Sequence, residues 1–348
     1  MSTTATDDLL DRVVQILDDG AIALLAGVGH ETGLLDTLGV LPPSTSAQVA
    51  DAAGLDERYV REWLGGMVTA GLVAYDPGPA TYVLREAAAP YLTGSGVDNL
   101  ARTMAQLTLL ATAAPKVAEC FRRGGGTTYA DYPGFHAAQA AESAAVNDVA
   151  LIDTVVPLTG LVERLEDGLD VADVGCGQGH AINLMARRFP ASRFTGYDFS
   201  PEAIEAARAE AAAWGLTNAR FAVHDVAEPL PEEYDLVTAF DTIHDQAHPA
   251  RVLAGVHAAL RPGGTFLMVD IKASSRLEQN VDLPWASFLY TVSTLHCMAV
   301  SLGQGGEGLG TVWGVERATR MVREAGFVAV EPKELAEDPF NVYVVARA

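Results

Sequence analysis

The chain has 348 residues, 49% of them apolar and 20% charged, with 45 acidic against 23 basic side chains and a formal net charge of −22. A composition this apolar supports buried cores and excludes disorder, collagen and coiled coil, while the length suits two domains. The acidic excess opposes phosphate neutralisation, so no nucleic-acid partner is expected.

The N-terminal stretch Met1 to Asp8 is polar and acidic and lacks the basic and apolar regions of a signal peptide. Even the apolar run from Gly20 to Gly29 ends at His30-Glu31, short of the ~18 residues of a membrane span, so no membrane partner is expected. Residues 7–38 predict two helices broken near Asp18-Asp19-Gly20, with Leu9, Leu10, Val13, Val14, Ile16 and Leu17 as an apolar stripe. Ser46 caps a predicted helix through Ala53, and Asp56 caps a second to Ala70. The runs Val73-Ala74-Tyr75 and Thr81-Tyr82-Val83-Leu84 then pair around Asp76-Pro77-Gly78-Pro79. This is the order of a winged helix-turn-helix, assigned to residues 1–95. Its would-be recognition helix holds Asp56, Glu57 and Glu62 against Arg58 and Arg61, a poor match to a DNA groove. Its apolar face, Trp63, Leu64, Met67, Val68 and Leu72, together with the N-terminal helices, instead predicts pairing with a second copy to give a homodimer, the alternative being that this face is the domain's own core.

Residues 98–121 and 135–156 predict helices of a connector, 96–160, separated by a flexible Arg122-Arg123-Gly124-Gly125-Gly126. From 161 to 348 short β-rich runs alternate with amphipathic helices. Strands are expected at 170–174, 193–197, 219–223, 234–240, 265–270, 328–331 and 342–346, and helices at 180–189, 201–213, 249–260 and 315–325. The alternation predicts an α/β, doubly wound and mostly parallel sheet of Rossmann-like type. Residues 273–312 break it, carrying Trp285, Phe288, Tyr290, His296, Cys297 and Met298 and then Gly303-Gln304-Gly305-Gly306-Glu307-Gly308. Such an insertion is expected to be a lid, or else a packing or dimer segment. Cys120, Cys176 and Cys297 are widely spaced and odd in number, which argues against a disulfide framework and for a reducing cytoplasm.

The sharpest signal is Asp173-Val174-Gly175-Cys176-Gly177-Gln178-Gly179, where a strand ends and a helix begins. A nicotinamide dinucleotide fingerprint requires a third glycine where this chain has His180. Asp198 lies ~20 residues past the glycines, the distance at which a carboxylate accepts from both ribose hydroxyls. Asp225 closes the next strand, within reach of an adenine; either acid alone could also be a helix cap. Ribose, adenine and a cationic linker together describe S-adenosylmethionine.

Through D-V-G-C-G-Q-G, G-Y-D, H-D-V, Y-D-L-V-T-A-F-D and L-R-P-G-G-T-F-L-M-V-D the chain resembles the class I S-adenosylmethionine-dependent methyltransferases over roughly residues 165–272. The resemblance implies that Asp173, Gly175, Gly177 and Gly179 surround the methionine part, Asp198 holds the ribose, and Asp225 and Val226 the adenine. It places Phe240 near the sulfonium, counts Cys176 and Phe199 among the cofactor-binding residues, and makes S-adenosylhomocysteine the second product. Cys176 reads as a small loop residue rather than a nucleophile.

After the fourth strand comes Phe240-Asp241-Thr242-Ile243-His244-Asp245-Gln246-Ala247-His248-Pro249, at the sheet edge where open α/β folds bind ligands. A histidine there suits proton transfer near neutral pH. Ile243-His244-Asp245 is similar to the His-Asp of small-molecule O-methyltransferases with an N-terminal winged-helix dimerisation domain, and the whole chain resembles an actinobacterial branch of winged-helix methyltransferases. In that family the histidine is the base, which implies a catalytic His244. Gln246 stands where the family has Trp, and the family's acidic partner for the base has no assigned position here. His244 as a positioning group, and N, S or C as acceptor atom, stay open, as do diverged chemistry and a ligand-responsive regulator. Asp241, His296 and Trp313 are expected to contact the substrate. Asp241, His244, Asp245 and His248 have the chemistry of zinc or iron ligands, but Pro249 starts a new helix and no metal is expected.

Overall fold

The computed structural model describes residues 3–336 and 338–348, so Met1 and Ser2 of the stretch read for targeting lie outside the described residues. The chain divides into two compact units, Met1–Ala111 and Thr112–Ala348, each described by itself.

The first unit holds α1 (Thr3–Glu31), α2 (Leu34–Val40), α3 (Ser46–Ala53), α4 (Glu57–Thr69), the hairpin β1 (Val73–Asp76) and β2 (Thr81–Leu84), α5 (Ala89–Leu92) and the start of α6 (Leu100–Arg123). The break expected near Gly20 is absent, because one glycine costs a helix only about 1 kcal/mol and the Ala21-Ile22-Ala23-Leu24-Leu25-Ala26 run that follows favours helix. The helix ends instead before Gly33, which takes the left-handed φ of 68°. Thr45, not Ser46, caps α3, in a reciprocal capping box with Gln48. Asp56 caps α4 as expected, accepting from the Arg58 and Tyr59 amides. The apolar face of α4 does not await a partner: Val60, Trp63, Leu64 and Met67 are buried with Leu34, Leu35, Leu38 and Val49 in this unit's own core. The surface of α1 is apolar instead, with Leu9, Leu10, Val13, Val14, Ile16 and Leu17 each 54–76% exposed.

The second unit continues with α7 (Phe135–Ala150), which ends in a π turn (Leu151–Val155), and α8 (Val162–Asp167). Then come β3 (Asp170–Val174), α9 (His180–Arg188), β4 (Arg193–Asp198), α10 (Pro201–Ala213), β5 (Ala219–Val223), β6 (Tyr234–Phe240), α11 (Pro249–Ala259) and β7 (Leu260–Ile271). The insertion is helical: α12 (Leu277–Asn280), α13 (Ala286–Val292), a π turn (Ser293–Cys297) and α14 (Met298–Gly303). It is followed by α15 (Val315–Glu324), β8 (Val328–Leu335) and β9 (Asp338–Arg347). The seven strands lie in the order β5-β4-β3-β6-β7-β9-β8. They are parallel except where β9 runs against β7 and β8. Alternate residues enter opposite layers: Val237, Ala239, Phe266 and Met268 pack on one face, Leu236, Leu267 and Val269 on the other.

The Arg122–Gly126 stretch, expected to be flexible, is anchored where it meets the insertion. The Thr127 amide donates to the Ala299 carbonyl. A Cβ on Gly126 would fall 2.0 Å from the Ala299 oxygen, and one on Gly303 2.0 Å from the Thr127 oxygen. Only glycine permits this backbone-on-backbone contact, which makes the insertion a fixed wall at this point. By length and composition, the helical stretches 8–31 and 286–303 are apolar enough to cross a membrane. Counting uninterrupted apolar runs missed both, because isolated polar residues punctuate them.

Candidate functional site

The site lies at the carboxyl edge of β3, β4, β5 and β6. Beyond β3 the amides of Gly175 and Cys176 both donate to the Tyr197 carbonyl, at 2.8 and 2.9 Å, and draw the glycine loop across β4. Gly175 has φ 69°, and a Cβ there would lie 2.2 Å from the Thr242 methyl, so the loop passes between two walls that leave no room for a side chain. At the end of β4 the Asp198 carboxylate accepts the Gly177 amide on Oδ2 (2.9 Å) and the Ser200 amide on Oδ1 (2.8 Å). Asp225 accepts the Ala227 amide, so it also closes its own turn. Asp173, buried beneath the loop, accepts the Thr238 hydroxyl at 2.7 Å. Burial pushes its carboxyl up to about 7.

All ten residues expected to hold a cofactor line one cleft, from Asp173 and the loop through Asp198, Phe199, Asp225 and Val226 to Phe240. Asp241 lines it too; His244, His296 and Trp313 do not. Tyr129, Phe135 and His136, which no sequence pattern singled out, form the opposite wall. The Tyr129 ring lies 5.0 Å from His136 and 5.5 Å from Phe199. Five carboxylates line the cleft, those of Asp173, Asp198, Asp225, Asp241 and Asp245, and no Lys or Arg is among its described lining residues. His180, at the start of α9, sets its ring nitrogens 2.8 Å from Glu210 and 3.1 Å from Asp148. Two acids thus stand on the ring of the first residue of the helix that would hold a pyrophosphate. A sulfonium and an ammonium fit this lining; phosphates do not. Burial, reinforced by Asp173 and Asp198, pushes the Cys176 thiol far above its ordinary range, so it carries no thiolate.

His244 sits in a 3-10 turn, Ile243–Asp245, that directs its ring behind the cleft wall. Its Nδ1 is 2.9 Å from Asp270 Oδ1 and its Nε2 is 3.3 Å from Asp245 Oδ1. Asp270 is thus an acidic partner of His244, one that no sequence motif marks. The same Asp270 oxygen accepts the Trp313 indole N–H (3.0 Å) and the Ile271 amide (2.8 Å). Burial pulls the His244 pKa down, but Asp270 and Asp245 together outweigh it and hold the imidazole charged well above its ordinary value. Trp313 is a core residue tied to Asp270 rather than a cleft residue. His296, in the π turn of the insertion, is fully buried and stacks on Phe135 at 3.8 Å between centroids. Burial pushes it down to about 4, so it is neutral. Among the described residues the ligand atoms of His244, Asp245 and Cys297 lie within 4.8 Å of one another; Asp241 and His248 stand outside that group.

Residues 20–94 match the Rv2258c-like winged HTH domain family, and residues 165–326 match a family described as a methyltransferase domain. The ribosomal protein L11 methyltransferase of Dechloromonas aromatica (strain RCB) is 39% identical over 115 residues, 33% of this chain and 36% of that protein. The chain spans between 36% and 55% of the length of the first curated relatives it matches. Among solved structures, the mitomycin 7-O-methyltransferase superimposes over 100% of both chains with a TM-score of 0.73 at 19% identity. An O-methyltransferase from neocarzinostatin biosynthesis, in complex with S-adenosylmethionine and 2-hydroxy-5-methyl naphthoic acid, superimposes over 94% of this chain and 95% of that one, with a TM-score of 0.66 at 17% identity. The chain joins a winged-helix domain to an S-adenosylmethionine-dependent methyltransferase domain.

The His244–Asp270 pair generates a stability test. A histidine whose folded pKa is raised contributes stability fully below its unfolded value near 6.5 and loses it as pH rises through the folded value. Asp270→Asn is expected to lower the His244 pKa in an imidazole NMR titration and to cost about 3 to 5 kcal/mol of stability at pH 6. An unchanged His244 titration would contradict the pairing.

Proposed function

We propose that the protein transfers the methyl group of S-adenosylmethionine to a hydroxyl of a small aromatic acceptor. The observation that carries this reading is the cleft of five carboxylates and three glycines without a lysine or arginine among its described lining residues. When bound, S-adenosylmethionine supplies an electrophilic methyl on sulfur and leaves as S-adenosylhomocysteine. The chain's part is to desolvate and align. Asp198, its oxygens oriented by the Gly177 and Ser200 amides, is the ribose group, and Asp225 and Val226 border the adenine. The rings of Tyr129, Phe135, His136 and Phe199 offer a flat aromatic acceptor stacking surfaces. The naphthoic acid held by the neocarzinostatin enzyme is a flat, hydroxylated aromatic molecule of this shape and supports the choice.

His244 enters this reading as a positioning group. Both of its nitrogens are engaged by carboxylates, and an imidazolium has no lone pair for a proton. It holds Asp245 on the cleft wall and joins the 243–245 turn to β7. Three free thiols, Cys120, Cys176 and Cys297, suit a reducing cytoplasm. The winged helix serves assembly rather than DNA: Arg58 and Arg61 on α4 are paired with Glu62 and Glu57. The exposed apolar stripe of α1 is the surface for a second copy, since monomers rarely leave such a patch open.

With labelled S-adenosylmethionine and a panel of phenols and hydroxylated aromatic acids, label is expected in an aryl methyl ether, with kcat/KM reduced at least tenfold in Asp198→Ala. Transfer confined to amine acceptors would overturn the hydroxyl assignment. In sedimentation the wild type is expected to be a dimer at micromolar concentration and a Leu10→Glu, Val14→Glu double variant a monomer. Flotation of the wild type with liposomes in place of dimerisation would contradict the assembly role.

A further inference from the structure

Asp241 is the first residue beyond β6. Four non-glycine residues among those described take positive φ, and Asp241, at 50°, is the one on the cleft wall. Asp tolerates this conformation better than most side chains, yet it remains a strained choice for a position that any turn residue could fill. Its amide donates to the Val269 carbonyl at 2.9 Å, which locks the turn to β7. Its side chain has no comparable anchor, because Oδ1 is buried without a hydrogen-bond partner.

The other cleft acids differ. Asp173 accepts the Thr238 hydroxyl, Asp198 two backbone amides, and Asp225 an amide of its own turn. Asp245 faces the His244 imidazolium. Asp241 alone among these five, all lining the cleft, carries neither a hydrogen bond nor an ion pair on its carboxylate among the described residues. The charged groups around it are Asp270 on β7, Asp338 at the start of β9, and His244 and Asp245 on its own turn. Burial first, and then repulsion from Asp270, push its carboxyl up to about 7, with His244 opposing.

We propose that Asp241 accepts the proton of the acceptor hydroxyl during methyl transfer. This rests on the function proposed above. The acceptor oxygen forms a bond to the methyl carbon, the carbon–sulfur bond breaks with its electron pair staying on sulfur, and the hydroxyl proton passes to the Asp241 carboxylate and later to water. The balance of charge favours this route: one cation and one carboxylate are replaced by a neutral thioether and a neutral acid, which a desolvated cleft stabilises. A carboxyl titrating near neutral pH is also matched to proton transfer at that pH.

The test is Asp241→Asn, which keeps the side-chain volume and tolerates the left-handed backbone. With an identified hydroxyl acceptor, kcat is expected to fall by about a hundredfold or more, while S-adenosylhomocysteine binds within threefold of wild type. The wild-type kcat/KM is expected to rise with pH through about 7, and the variant to lack that limb. A second readout does not depend on turnover. A carboxylate with a raised folded pKa destabilises the protein as pH rises from its unfolded value through the folded one. The variant is therefore expected to melt at a higher temperature than wild type above pH 7, and the gap to close near pH 4. A variant with wild-type kcat overturns the proposal. So does one that loses S-adenosylhomocysteine binding tenfold with kcat retained, which would make Asp241 a cofactor anchor. A wild type that methylates no hydroxyl while the pH-dependent melting gap persists overturns the parent function, and the proposal with it.

Discussion

Four parallel strands end at one edge, and each brings a carboxylate into a cleft with no lysine or arginine among its described lining residues to neutralise it. The rest of the site follows from that unbalanced charge. Buried acids with raised pKa values cost stability, and the fold bears that cost at Asp173 and Asp241, which an arriving cation would relieve. A phosphate ligand would meet the carboxylates of Asp148 and Glu210, held on the His180 ring, near the helix end that would otherwise attract it. The glycine loop completes the arrangement by bringing backbone, rather than side chain, to the ligand's edge.

Behind the cleft a second node fixes the geometry. One oxygen of Asp270 gathers the His244 ring, the Trp313 indole and the Ile271 amide. It thereby ties together the end of β7, the turn after β6 and the stretch that follows the insertion. The insertion is held from the other side by glycine contacts between Gly126, Thr127, Ala299 and Gly303. Between these fixed points lies the aromatic layer of Phe135 and His296, with Tyr129 at the cleft. The result is a cavity with charge on the sheet side and stacked rings on the helical side, the arrangement that the proposed transfer to a flat acceptor calls for.

Local information made much of this legible. The glycine loop, Asp198 and Asp225 are set by spacing along successive β–α units, so their convergence follows from the strand order alone. What escaped was non-local. Asp270 lies 26 residues from His244, and no pattern marks which strand-end acid turns toward the ring. The 3-10 turn that sends His244 away from the cleft depends on packing against β7 and the insertion. Tyr129 and His136 reach the site from the connector, whose pattern marks only two helices around a flexible stretch. In the first unit the periodicity of α4 left two destinations open, a second copy or the domain's own core, because an amphipathic face does not say whether its partner is the same chain or another; the core is where it packs.

The central claim is that this cleft selects a sulfonium cofactor by charge. Calorimetric titration with S-adenosylmethionine, S-adenosylhomocysteine, NAD+ and ADP at one ionic strength tests it most directly. The account requires micromolar binding of the first two, a stronger salt dependence for the cationic S-adenosylmethionine than for its neutral-sulfur product, and no measurable heat with the two phosphates. Binding of NAD+ or ADP as tight as that of S-adenosylmethionine would contradict it.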